Sequence, residues 1–134
     1  MPTFTRINHL ALTVTDLDRS AAWYQDVLGL VEMMRGRNED VGVSFVTNVA
    51  VDADIAIGLR QFDEAVDGAR FSHLNPGMDH LALQVSDRAE LEAWQERLAD
   101  KGVTFTPIAD HPIAEVLTFR DPDDIQLELW LSKV

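Results

Sequence analysis

One phrase occurs twice in this chain, and that repetition limits its fold more than any other feature. His9-Leu10-Ala11-Leu12-Thr13-Val14-Thr15-Asp16 is matched by His80-Leu81-Ala82-Leu83-Gln84-Val85-Ser86-Asp87. The pairs Ala22-Trp23 and Ala93-Trp94 follow at the same offset. Self-similarity of this kind marks one supersecondary unit used twice, and such a unit has to bury its apolar face against a neighbour. The expectation is a single domain over 1–134 built from two tandem modules, at about 5–62 and 78–134. A linker at about 63–77 holds Gly68, Asn75, Pro76 and Gly77.

Within each copy the apolar period changes. Leu10, Leu12 and Val14 alternate with His9, Ala11 and Thr13, as on a strand with one buried face. Asp16 then stands as an N-cap, Leu17, Ala21, Tyr24 and Leu28 recur at helical spacing, and Gly29 suits a left-handed stop. The second copy has Asp87 as N-cap, Glu90 three residues on, a stripe of Leu91, Trp94 and Leu98, and Gly102. Short apolar runs follow each helix: Val31 to Met34, Val41 to Val46 and Ile55 to Leu59, then Val103 to Phe105, Val116 to Phe119 and Ile125 to Leu131. Asp121-Pro122-Asp123-Asp124 is a tight turn between the last two. Each module therefore reads β-α-β-β-β, and the fold class is α+β.

Composition narrows the partners. Asp and Glu number 23 against 11 Lys and Arg, for a formal net charge of −12. The scattered cations form no basic patch, which speaks against nucleic acid and against an anionic membrane surface. There is no cysteine, so disulfides and thiolate metal ligands are excluded. No apolar run is long enough to span a bilayer, and Thr3 to Asn8 is too polar for a signal-peptide core. A soluble, cytoplasmic protein with a small-molecule partner is expected.

The last strand carries the chemistry. Alternation puts Gln126, Glu128 and Trp130 on one face and Ile125, Leu127, Leu129 and Leu131 on the other. With the aliphatic face toward the helix, Glu128 lies among apolar neighbours, where a lone carboxylate is costly. His9 and His80 occupy the matching faces of the two lead strands. Two imidazoles and one carboxylate on one side of a divalent ion leave positions open for substrate. That pattern is associated with Fe2+, and Mn2+, Ni2+ or Zn2+ also suit it. Gln84 and Gln126 are candidate acceptors for the second ring nitrogen of a ligating imidazole. Trp130 shares the face of Glu128 and is a candidate wall for a planar substrate. Arg60, on the face of Gly58, is a candidate for meeting a substrate anion.

The paired modules, the His-Leu-Ala-Leu openings, the Asp-Pro-Asp turn and the Leu-Glu-Leu strand together resemble the vicinal oxygen chelate superfamily. That superfamily contains glyoxalase I, extradiol dioxygenases, fosfomycin-resistance transferases, methylmalonyl-CoA epimerase and bleomycin-resistance proteins. The resemblance implies a half-barrel cleft, a homodimer, and a divalent metal held by His9, His80 and Glu128. The superfamily's fourth ligand position falls on the run Ile55 to Leu59, where the internal repeat aligns Gly58 with Glu128 and Ala56 is the alternative register. Neither side chain binds metal, which disfavours a glutathione-dependent glyoxalase. The resemblance to extradiol dioxygenases implies an acid–base role for His111, ahead of the penultimate strand. It also sets Thr118, three residues before the Asp-Pro turn, at a substrate-facing position where those enzymes carry a tyrosine. No cluster of cations suited to a phosphonate is present. The function implied is dioxygenase-like oxidation of a small oxygenated or aromatic substrate. A lyase or isomerase of the glyoxalase type is the first alternative. A non-catalytic drug-binding protein of the bleomycin-resistance type is the second.

Overall fold

The structure is a computed structural model that describes residues 1–134. The chain divides into two compact units, Met1–Ala69 and Arg70–Val134.

The first unit runs β1 (His9–Thr13), α1 (Leu17–Leu28), β2 (Val31–Asn38), β3 (Val43–Val49) and β4 (Ala56–Phe62). Its sheet has the order β1-β4-β3-β2. β1 and β4 are parallel, so the chain must cross over between them, and α1 with the β2–β3 hairpin makes that crossover. The alternation expected of β1 is present: Leu12 and Val14 are buried, whereas His9, Ala11 and Thr13 are exposed. The helix starts where Asp16 accepts the backbone N–H of Arg19 at 3.0 Å. It stops at Gly29, whose φ of 69° a side chain would make costly. Leu17, Ala21, Tyr24 and Leu28 form the buried stripe, joined by Val27 and Ser20.

The second unit repeats the plan with β5 (Leu81–Gln84), α2 (Arg88–Asp100), β6 (Phe105–Asp110), β7 (Ala114–Arg120) and β8 (Gln126–Ser132), in the order β5-β8-β7-β6. Asp87 caps α2 by accepting the N–H of Glu90 at 2.9 Å. Leu91 and Leu98 are fully buried beneath it, while Trp94 is half-buried, as Trp23 is in the first unit. The large aromatic anchor of the first core is instead Tyr24, with the Trp23 ring edge-on to it at 5.0 Å. Leu127 and Leu129 point to the helix side and are buried, as the alternation in β8 requires.

Both outer ladders carry an irregularity, between Glu32 and Met34 in β2 and between Thr106 and Ala109 in β6. Bulges of this kind blunt sheet edges. In β6 the irregular stretch accommodates Pro107, and the freed N–H of Ile108 is taken by the side chain of Gln95 on α2 at 3.0 Å. The tight turn before β8 is built on Asp121, whose buried carboxylate accepts the N–H groups of Asp123 and Ile125 at 2.8 and 2.9 Å. Each unit is thus a β-α-β-β-β module with a mixed four-stranded sheet.

Candidate functional site

The two lead histidines are held in the same way. His9 Nδ1 lies 2.8 Å from the side-chain oxygen of Asn8, and His80 Nδ1 lies 2.8 Å from a carboxylate oxygen of Asp79. Both partners are acceptors, an arrangement that favours the tautomer with its proton on Nδ1 and directs Nε2 outward as the nitrogen able to ligate. The hydrogen bond from His80 holds the Asp79 carboxyl below the usual carboxylate range, with the charges of His73 and Arg120 adding to the effect. The residue before each histidine therefore serves the second ring nitrogen. The repeated Asn8-His9 and Asp79-His80 steps are the signal in the sequence that marks them. Gln84 and Gln126 do other work.

Glu128 is brought beside His80 by the parallel ladder, in which β5 and β8 pair Ala82 with Glu128 and Gln84 with Trp130. His80 Nε2 and Glu128 Oε2 face each other at 3.6 Å, too far for a hydrogen bond. The Glu128 side chain is only 11% exposed. Its other oxygen accepts from Gln126 Nε2 at 3.0 Å. An imidazole nitrogen and a nearly buried carboxylate oxygen are turned toward each other with no hydrogen bond between them. A divalent cation fits between such groups, with bonds of about 2.1 Å to each, and the nitrogen and oxygen donors suit Fe, Mn, Ni or Zn. No group of three or more His, Asp or Glu side chains poised to hold a metal forms within the chain. Of the three expected ligands, the fold brings His80 and Glu128 together in the second unit, while His9 stands at the start of β1 in the first.

A cavity of about 270 Å³ opens beside His80, lined by His80, Ala82, Gln84 and Trp130. The Trp130 indole is held by its N–H donating to Ser132 Oγ at 3.2 Å. Ser132 in turn bonds the Gln84 side chain at 3.2 Å. Thr118 stands next to Glu128 across the β7–β8 ladder, half-buried. His111 lies elsewhere. It sits exposed in the β6–β7 turn, its N–H bonded to the carbonyl of Ala114, which pairs with Ser132. Four ladder positions, about 13 Å of strand, separate that level from Glu128.

The first sheet has the same register without the carboxylate. Ala11 pairs with Gly58 as Ala82 pairs with Glu128, so Gly58 does occupy the position matching Glu128. Its φ is not positive, and an added Cβ would meet Ala11 at an ordinary 3.6 Å. Arg60, the counterpart of Trp130, pairs with Thr13 and lies over the Phe62 ring at 5.9 Å.

Two β-α-β-β-β modules, each opened by a histidine at or just before its first strand, define the class of paired-module α+β folds. The chain belongs to the Glyoxalase/Bleomycin resistance protein/Dioxygenase superfamily, whose match spans residues 6–129. It is similar to the glyoxylase/bleomycin resistance protein/dioxygenase domain from Frankia sp. EAN1pec, at 37% identity and a TM-score of 0.89, covering 98% of this chain and 94% of that one. It is 27% identical over 126 residues to the uncharacterized protein YwkD of Bacillus subtilis (strain 168), covering 92% of this chain and 94% of that protein. The fold is shared with the fosfomycin resistance protein FosX from Listeria monocytogenes, a mutant of which was solved with Mn(II) and 1S,2S-dihydroxypropylphosphonic acid. That likeness has 20% identity and a TM-score of 0.70, covering 95% of this chain and 92% of that one. No helix is long and apolar enough to cross a membrane.

Proposed function

We propose that this chain is a divalent-metal enzyme that takes a small oxygenated or aromatic substrate through two neighbouring oxygens, with dioxygenase-like chemistry. The observation that carries the reading is the approach of two metal-ligating groups, His80 Nε2 and Glu128 Oε2, 3.6 Å apart. His80 and Glu128 would hold the metal, with His9 as third ligand in a homodimer. When bound, the metal supplies a Lewis acid for adjacent substrate oxygens. Trp130 and the small Ala82 line the cavity beside His80, the indole offering a flat surface to a planar substrate. Thr118 would meet the substrate beside Glu128. Arg60 would meet a substrate anion from the first unit. His111 would serve as the acid–base group from the far end of β8, its backbone level lying about 13 Å of strand from Glu128.

The test is metal content after purification without chelator, in the wild type and in His9→Ala, His80→Ala and Glu128→Ala. The expected result is close to one metal per chain, lost in each variant, with iron and with oxygen uptake on catechols. Manganese, nickel or zinc without oxygen uptake would move the assignment to a lyase or isomerase of the glyoxalase type. No metal, even after titration, would overturn the enzyme reading and leave a small-molecule-binding protein.

A further inference from the structure

We propose that Gln126 and Arg120 are positioning residues that fix which oxygen of Glu128 is offered to a metal; this rests on the metal reading above. Arg120 and Gln126 are paired across the β7–β8 ladder. Arg120 Nη2 donates to Gln126 Oε1 at 2.8 Å, and Gln126 Nε2 donates to Glu128 Oε1 at 3.0 Å. A guanidinium has donors only, so it settles the orientation of the amide: the oxygen must face Arg120 and the NH2 group must face Glu128. The positive charge on the amide oxygen also polarises the NH2 group into a stronger donor. One carboxylate oxygen is thereby occupied, and Oε2 is left facing His80.

Arg120 is itself anchored. Its Nη1 donates to the carbonyl of Asp124 at 2.9 Å. Asp124 is a non-glycine residue with φ of 65°, held in the turn that Asp121 closes and bound through its carboxylate by Arg70 at 2.5 Å. Both hydrogen bonds of Arg120 go to neutral oxygens, the Asp124 carbonyl and the Gln126 amide. The first sheet supplies an internal control. There Val49 pairs with Ala56 at the register of Arg120 and Gln126, beside Gly58 at the register of Glu128. The relay is present in the module that has the carboxylate and absent from the module that lacks it.

The experiment is Co(II) titration of the full chain, following affinity and the visible absorption bands, for the wild type, Gln126→Met, Arg120→Met and the double variant. Loss of a group that orients a metal ligand lowers affinity by about 10- to 100-fold. Gln126→Met should weaken Co(II) binding by that factor and shift the bands, while its melting temperature stays with the wild type. Arg120→Met should lose less, and nothing further in the Gln126→Met background, because it acts through Gln126. Equal affinity and spectrum in Gln126→Met, with Co(II) bound by the wild type, overturns the relay alone. Additive losses in the double variant overturn it too. No Co(II) uptake by the wild type overturns the metal reading and the relay with it. Should Gln126→Met fail to fold, Gln126→Asn, one methylene shorter, keeps the polarity, removes the reach and carries the same expectation.

Discussion

A histidine whose Nδ1 faces an acceptor has Nε2 to offer to a metal, and both lead histidines are placed in that way. Asp79→Ala removes the acceptor from His80 while leaving the ring in place. The expected outcome is a loss of metal affinity of about tenfold, with an unchanged far-UV spectrum, checked by Co(II) titration. Asn8→Ala should act in the same way through His9. A core substitution behaves oppositely: Leu127→Ala, at a side chain fully buried next to Glu128, should cost about 2–5 kcal/mol in urea unfolding. At this scale the proposed ligands stand out in the sequence, since repetition and period-two alternation mark His9, His80 and Glu128. Their supports were not. Whether Gln84 bonds an imidazole, a backbone carbonyl or Ser132 depends on side-chain torsions that no spacing encodes. In the fold its amide donates to the carbonyl of Val85.

Elements follow their local signals closely where a cap or a period is strong. Both helices begin at the aspartates that open them, and each cap is one charged acceptor on an orphan N–H. Asp16→Ala should cost about 1 kcal/mol, read as a lower urea midpoint at constant slope. Strand ends were less legible. β6 runs Phe105–Asp110 rather than Val103 to Phe105, because the bulge at Pro107 breaks the alternation that would mark it. β2 continues to Asn38 through Arg35 and Arg37, whose polarity hides a strand that ion pairs with Glu32, Asp18 and Asp63 hold along its edge. Gly58 offers a further test in β4. Its backbone needs no glycine and its surroundings admit a Cβ, so Gly58→Ala should stabilise by about 0.4–1 kcal/mol in the same assay.

For the whole molecule, acid is the informative perturbation. Asp63 and Asp110 are held below the ordinary aspartate value of 3.8, by hydrogen bonds from Arg37 and Lys133 respectively. A carboxyl whose folded value is depressed stabilises the fold above its unfolded value, and that contribution is lost as pH falls through the folded value. Stability carried by these two pairs should therefore be complete at neutral pH and fade below 3.8. Arg37→Met should flatten the part of that acid limb due to Asp63, as measured by urea midpoints across the range. Both pairs are exposed, so the limb will be shallow and salt will reduce it. The pairing of Gly58 with Ala11 bears on how such a chain changes over generations. A duplicated module holds every working position twice, and only one copy has to keep it. Where one copy carries the carboxylate, its twin is restrained at that register by backbone and packing, and at Gly58 those restraints are slight. The strand of Gly58 is thus the one on which a side chain can be introduced opposite Ala11 at little structural cost.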